Sequence, residues 1–408
     1  MRGLVNILFV HQNFPGQFLH LAPALAARGH RVLGLTDQGN ARPAPVEVVR
    51  YRSPDLPADL AQGRLGRGYL QMAERGLNVM RAARALRDRH GFVPDVVFGH
   101  PGWGETLYLR GVWPRARHLA YAEYFYAPEG LDVGFDPEFT SPNPDRPAIV
   151  LARQAHIAHA MVQADAALAP TRFQAATFPP ALRAGIRVIH DGIDTARVAP
   201  DPAATLELPG GRVLRAGDEV LSFVNRNLEP YRGAHIFLRA LPAVLAARPQ
   251  AQVVVLGGDE VSYGSRPPGG GSWRAHLLAE LEGRLDLSRV HFLGRVPYPV
   301  FLRLMQVTRV HAYLTYPFVL SWSLLEAMAA GAHVVASRTA PVEEVVEHGA
   351  TGTLVDFFDV PGWSAALIHA LAEPAAHDPL RRAARARIVA EYDLASICLP
   401  QLIDFVKG

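Results

Sequence analysis

The sequence predicts an α/β protein of two Rossmann-like, doubly wound parallel-sheet domains facing a central cleft. Three observations lead there. The chain has 408 residues, too many for one ordinary core and about right for two. Short apolar runs alternate with helical patterns along both halves, as for strands buried on both faces and crossed over by helices. Between the halves, residues 200–216 are rich in proline and glycine and read as a linker.

Composition narrows the function classes. Apolar residues make up 49% and charged residues 19%, a globular balance. The net charge of +3 suits anionic small ligands or a lipid surface and falls far short of a nucleic-acid footprint. One cysteine, Cys398, excludes an intrachain disulfide and a cysteine metal cluster. No metal-ligand spacing is found, so no metal is expected. No apolar stretch reaches membrane-spanning length, and residues 1–10 lack a secretory pattern. A cytoplasmic protein is expected.

In the first half, residues 5–10 read as a buried strand and 19–28 as a helix, with the loop HQNFPGQF between them. Gly16 in that loop either makes a turn or brings backbone N–H groups to a phosphate. Residues 31–36 form the next strand. Residues 56–90 read as an amphipathic helix with Arg64, Arg67, Arg75, Arg81, Arg84, Arg87 and Arg89. That basic face is either simply solvated or touches an anionic lipid surface. Residues 94–100 form a strand ending in His100, where parallel sheets open onto their ligand crevice, and Glu105 lies just beyond. A histidine there suits proton transfer or a bond to a sugar hydroxyl. Residues 118–126 form a strand carrying Glu123, and the long loop 127–147 is expected to cover the acceptor side. A helix over 148–164 follows, then a strand over 166–170 and a helix capped by Thr171.

In the second half, residues 219–225 form a strand that leads through RNLEPYRG into a helix over 234–247. Arg226 and Arg232 flank this strand-to-helix loop and are either two surface arginines or a pair that grips one anion, since guanidinium groups hold phosphate in bidentate fashion. Residues 252–256 are the next strand. The insert over 260–273 is flexible by composition, and its Trp273 either stacks on a ligand or packs. Strands follow at 290–294 and 310–314. Residues 317–337 read as loop, buried helix, glycine stop and strand. Glu326 sits in that helix among apolar neighbours, where an unpaired carboxylate would be costly. Helices over 342–347, 363–372, 380–392 and 394–406, with a strand near 353–355, complete the chain.

Four segments together resemble the GT-B glycosyltransferases, specifically the large family-four group of retaining, nucleotide-sugar-dependent enzymes. They are LLEAMAAG with VVAS (residues 324–337), NRNL with YRG (225–233), DGID (191–194) and GATGTLV (349–355). The resemblance covers nearly the whole chain. It implies an acceptor-binding domain over 1–198, joined by the terminal helix at 394–408, and a nucleotide-sugar-binding domain over 199–393. It implies that Arg226 and Arg232 bind the donor diphosphate, with Ser321, Trp322 and Ser323 at the helix N-terminus that meets it. Glu326 would accept hydrogen bonds from the ribose. Gly294 and Arg295 would hold the base, and Gly16 would approach the donor from the first domain. His100 would stand near the reacting centre, with Glu105 and Glu123 on the acceptor side.

One departure stands out. The family's motif pairs two glutamates, and the first falls here on Phe318, followed by Val319, Leu320 and Ser321. That glutamate normally touches the donor sugar. Glu123, Asp259 or Ser321 would have to replace it, or the donor differs. The resemblance therefore implies a glycosyltransferase that moves a sugar from a UDP- or GDP-linked donor to an acceptor hydroxyl. It implies retention of configuration, and no metal or other cofactor is expected. The acceptor is left open among polysaccharide, lipid, protein and small molecule, with peripheral contact at the inner membrane face as an option. A catalytically impaired nucleotide-sugar-binding protein and a GT-B nucleotide-sugar epimerase are the alternatives.

Overall fold

A computed structural model describes residues 3–55 and 65–408. The chain divides into two compact units. The first runs to Gly192 and takes back Ala395–Gly408; the second is Ile193–Leu394. The crossing thus falls at Gly192, earlier than the expected position after Val198. Backbone pairing explains the shift. Ile193 bridges to Asp393, its N–H donates to the Tyr392 carbonyl at 2.8 Å, and Ile193 and Val198 are core residues of the second unit.

Among the described residues the first unit holds a seven-stranded parallel sheet. Its strands are β1 (Asn6–Val10), β2 (Arg31–Asp37), β3 (Glu47–Tyr51), β4 (Val96–Gly99), β5 (Arg117–Tyr121), β6 (Ala166–Ala169) and β7 (Ile186–Val188). They lie in the order β3-β2-β1-β4-β5-β6-β7. Apolar side chains fill both faces of β1: Ile7 and Phe9 belong to one core, Leu8 and Val10 to another. This two-sided burial is why the strand reads as an unbroken apolar run. The C-terminal helix Leu399–Lys407 closes the first of these cores with Leu402, Ile403, Phe405 and Val406. Arg117 Nη1 ties it down by donating to the Phe405 carbonyl at 2.9 Å.

The order reverses between β1 and β4, which pair directly with Val10 opposite Gly99. Such a reversal leaves a crevice at the strands' carboxyl ends. His11 and His100 are the next residues on either side of it.

The second unit holds a short antiparallel pair, β8 (Thr205–Glu207) and β9 (Val213–Arg215), in the stretch expected to be a linker. Leu206, Leu208 and Leu214 are buried in this unit's core, so the stretch belongs to the unit rather than joining two. The remaining strands are β10 (Val220–Asn227), β11 (Gln252–Gly258), β12 (Val290–Gly294), β13 (Val310–Tyr313), β14 (His333–Ser337) and β15 (Thr353–Val355). They pair in parallel in the order β12-β11-β10-β13-β14-β15, with the reversal between β10 and β13. The loop after β10 carries Arg232, and the loop after β13 leads to the helix Trp322–Ala329. Gly233 makes their close approach possible. It adopts φ +69°, and a Cβ there would lie 2.3 Å from Leu314 Cβ.

Other expectations shift in detail. β3 was not foreseen. The basic helix is Gly66–His90, and Arg64 lies outside the described residues. Helix 342–347 becomes Ala340–Glu343. The terminal helix is preceded by a π-helical turn over Leu394–Cys398. Thr171 caps its helix as expected, its Oγ1 accepting from the Gln174 N–H at 3.1 Å.

Candidate active site

At the carboxyl edge of the first sheet, β1, β4 and β7 are each followed closely by a histidine. The Nδ1 of His11 accepts the Asn13 N–H at 2.9 Å, that of His100 the Gly102 N–H at 3.1 Å, and that of His190 the Gly192 N–H at 3.0 Å. A nitrogen that accepts an amide N–H carries no proton, so the neutral ring bears its proton on Nε2. For His100 this Nε2–H faces Glu123 Oε2 at 3.2 Å. The other carboxylate oxygen accepts Gln17 Nε2 at 2.8 Å. Two donors therefore hold Glu123 as an oriented carboxylate, 28% exposed.

His11 stands edge-on to His100, with ring centroids 5.4 Å apart. Burial, and after it the neighbouring His100 and Arg42, hold its pKa well below the usual histidine value, so it is neutral near pH 7. Gly16 packs flat on this ring. It adopts φ +50°, and a Cβ would lie 3.1 Å from the imidazole. Tyr121 and Trp103 both stack on His100, with ring centroids 5.7 and 6.2 Å away, and the Tyr121 hydroxyl donates to Asp191 at 2.9 Å. Gly16, His100 and Glu123 thus gather in one cluster, joined by His11 and Gln17.

Glu105 does not belong to that cluster's accessible face, which corrects its expected place on the acceptor side. It is fully buried, and the Tyr51 hydroxyl donates to its Oε1 at 2.7 Å. Burial pushes its pKa up to about 7. The cause is that a carboxyl just after a tight turn points back under the sheet edge towards β3. The long loop after β5 is tied down by Tyr124, whose hydroxyl donates to Asp132 at 2.7 Å.

In the second unit, Arg232 is 5% exposed. Its Nη1 donates to Thr315 Oγ1 at 2.7 Å and to the Val319 carbonyl at 2.8 Å. The Tyr263 and Phe318 rings lie 5.2 and 5.7 Å from the guanidinium carbon. Phe318, where the family's first glutamate falls, therefore packs over the cation instead of offering a carboxylate. Among the described residues no acid pairs with Arg232, and an uncompensated buried charge is costly. Arg226, by contrast, is exposed at the end of β10.

The bonds of Arg232 bring its loop against the start of the helix Trp322–Ala329. Ser321 caps that helix, its Oγ accepting the Ser323 N–H at 3.3 Å, and the Ser321 N–H donates to the Tyr313 hydroxyl at 2.8 Å. Trp322 is 39% exposed. A guanidinium and a helix N-terminus together favour an anion. Further along the helix, Glu326 Oε1 accepts the Tyr298 hydroxyl at 2.7 Å, and burial raises its pKa. This answers the odd carboxylate of the apolar helix with a tyrosine that sequence reasoning missed.

The insert after β11 is anchored, contrary to the flexibility expected from its glycines and prolines. Glu229 is fully buried and accepts the N–H groups of Ser262, Tyr263 and Gly264 at 3.0–3.3 Å. Trp273 packs, 4% exposed, with Nε1 donating to the Ser265 carbonyl. Gly294 ends β12 at φ +65°, and the Arg295 side chain turns to Glu260 at 2.5 Å and Asn227 at 3.0 Å. Among the described residues no helix is long and apolar enough to cross a membrane.

Comparison with known proteins agrees with this geometry. Residues 28–198 match the family described as "Glycosyl transferase family 4 group", and residues 218–373 match "Glycosyl transferases group 1". A D-inositol 3-phosphate glycosyltransferase from Corynebacterium jeikeium is 32% identical over 185 residues, 45% of this chain and 42% of that protein. The chain thus spans less than half the length of the curated relatives it matches. Among solved structures, Anabaena HepE in complex with UDP-glucose superimposes with a TM-score of 0.67 at 17% identity, over 99% of both chains. Sucrose-phosphate synthase from Thermosynechococcus elongatus gives 0.70 at 17% identity, over 99% of this chain and 98% of that one.

Proposed function

Since this chain belongs to the GT-B glycosyltransferases of the family-four group, we propose that it moves a glycosyl group from a nucleotide-diphosphate sugar to an acceptor hydroxyl. The observation that carries this reading is Arg232, a buried guanidinium with no acid partner among the described residues, bonded into the loop that leads to a helix N-terminus. A diphosphate is the anion that such a site would neutralise.

In this reading the second unit binds the donor. Arg226, Arg232 and the N–H groups at Trp322 and Ser323 stabilise the charge that grows on the leaving diphosphate, and this electrostatic term supplies most of the rate. Glu326 and Tyr298 hold the ribose, and the turn at Gly294 and Arg295 meets the base. The first unit binds the acceptor. His100 and Gln17 orient Glu123, which accepts the acceptor hydroxyl's proton as the new C–O bond forms and the bond to the diphosphate breaks. Transfer proceeds with retention and without a metal ion. UDP-sugars are the first donors to try, because HepE is described with UDP and UDP-glucose. A cytoplasmic setting is part of the proposal.

The test is incubation with a panel of UDP-, GDP- and ADP-sugars, with and without acceptor mixtures, scored for released nucleoside diphosphate. Release that depends on acceptor, survives EDTA and yields product of the donor's anomeric configuration is expected. Tight nucleotide binding with no turnover on any donor would overturn the transferase reading.

A further inference from the structure

The second unit holds three histidines that the transferase reading does not use. His333 opens β14, His369 lies in the helix Val360–Ala372, and His377 in the first turn of the helix Pro374–Tyr392. They gather at the amino edge of the second sheet, where His333 pairs with Val310, opposite the edge that carries Arg232. The His333 and His377 ring centroids lie 4.1 Å apart, and those of His369 and His377 5.0 Å. His369 Nδ1 meets His377 Nε2 at 3.0 Å, and His333 Nε2 meets Thr353 Oγ1 at 3.0 Å. The Nδ1 atoms of His333 and His377 are buried with no hydrogen-bond partner.

This arrangement holds only while the buried rings are neutral. One hydrogen fits between His369 Nδ1 and His377 Nε2, so one ring donates and the other accepts. Where His377 donates, its Nδ1 is a bare lone pair, and a proton there becomes a buried cationic N–H without an acceptor. Where His377 accepts, a further proton must take the lone pair that holds His369. Charge on His377 is costly either way.

Nothing nearby offsets such a charge. Among the described residues no carboxylate bonds to any of the three rings. Arg381 stands beside His333, and Asp378 is engaged by Arg381 Nη1 at 2.9 Å. Arg309 donates to the Leu371 carbonyl at 2.8 Å, and Glu219, 3.9 Å from Arg309, accepts Arg248 Nε at 3.0 Å. Burial, and after it His377, Arg381 and His369, push the His333 pKa down to about 3; burial and then His369 lower that of His377.

The cluster also stands where two helices are tied together. Gly331 stops the helix Trp322–Ala329 at φ +83°, two residues before His333. Arg381, one turn on from His377, donates Nε to the Gly331 carbonyl at 2.6 Å, and Arg385 Nη1 donates to the Ala329 carbonyl. Two cations of the helix Pro374–Tyr392 thus brace the carboxyl end of the helix that carries Glu326.

We propose that the three histidines form a proton-sensitive latch: a proton taken up by His377 or His333 breaks the ring cluster, sets a second cation beside Arg381, and frees the start of the helix Pro374–Tyr392 from the end of the helix Trp322–Ala329. The latch does not depend on what that helix binds. Its sign follows from proton binding. Once open, a ring regains the ordinary histidine value of 6.5, so the open form binds a proton that the closed form excludes. Opening therefore grows as pH falls below that value, about tenfold from pH 7.5 to pH 5.5 for one proton.

The experiment is hydrogen–deuterium exchange of the full chain at these two pH values, read by mass spectrometry and corrected for the intrinsic pH dependence of amide exchange. Peptides across residues 324–337 and 374–388 should open about tenfold more at the lower pH. Peptides across the helix Ala234–Ala247 of the same unit should not change. His377→Gln should abolish the local response. His369→Gln, at an exposed ring, should reduce it, because a glutamine oxygen accepts the His377 Nε2–H and never becomes charged. Should His377→Gln not fold, His369→Gln decides alone. An acid response spread evenly over the unit, no response in the two segments, or a response of the parent's size in the folded variants would each overturn the proposal.

Discussion

Glu105 offers a prediction whose size follows from its surroundings. Its carboxyl is fully buried and burial raises its pKa from 4.5 to about 7. At about 1.36 kcal/mol for each pH unit, that displacement corresponds to about 3 kcal/mol. The sign follows from proton binding. Between pH 4.5 and 7 the folded chain holds a proton that the unfolded chain has lost, so raising the pH weakens the fold. This contribution is fully present below pH 4.5 and lost above about pH 7. Glu105→Gln keeps an oxygen to accept the Tyr51 hydroxyl and cannot ionise. Urea unfolding of both proteins, followed by tryptophan fluorescence from pH 5 to pH 8, reads the difference directly. The variant should gain stability relative to the parent as pH rises, by about 3 kcal/mol at the upper end. A difference that stays constant across the range would refute the buried-acid reasoning, because a normally titrating glutamate is already charged at pH 5.

The remaining predictions concern the two clusters. Arg226→Ala should change the unfolding free energy by no more than about 0.5 kcal/mol, the usual surface range, and weaken UDP or GDP binding roughly tenfold by calorimetry. Arg232→Ala should lower nucleotide affinity more than Arg226→Ala does; unchanged nucleotide affinity would sink the diphosphate assignment. Glu123→Gln should preserve donor affinity and lower acceptor-dependent turnover about a hundredfold, the scale of a lost general base. Gly16→Ala should destabilise the first unit by about 1 kcal/mol in thermal unfolding, because φ +50° and the His11 ring both resist a Cβ.

Much of the fold was legible because burial on two faces leaves a plain mark. The strands at 290–294 and 353–355 and the helix at 234–247 match their apolar patterns to the residue. What escaped was structure whose pattern is too short or too mixed. β3 sets two half-buried residues, Val48 and Val49, between exposed Glu47 and Arg50 and lies on the sheet's edge, so no apolar run marks it. β8 and β9 have three residues each, and single buried leucines hold them among prolines and glycines. The insert after β11 looked flexible because its own residues carry no packing signal. Its anchor, Glu229, lies in a different segment and acts through backbone N–H groups that no side-chain pattern reveals.

The site was legible in its residue types and less so in their roles. Arg232 and His100 could be singled out because a cation or an imidazole at a strand's carboxyl end has few structural reasons to be there. Depth separated Arg226 from Arg232 and Glu105 from Glu123, and depth is set by the partner loops rather than by local spacing. One signal was present in the sequence and went unused. HQN, HPG and HDG each place a histidine two residues before asparagine or glycine at a strand end, and in all three the later N–H fixes Nδ1. That geometry reassigns His100. With Nδ1 bonded to an amide and Nε2–H turned to Glu123, the ring has no lone pair left to take a proton. The group that can receive one is the carboxylate beside it, so in the proposed transfer the histidine would orient the base and Glu123 would be the base.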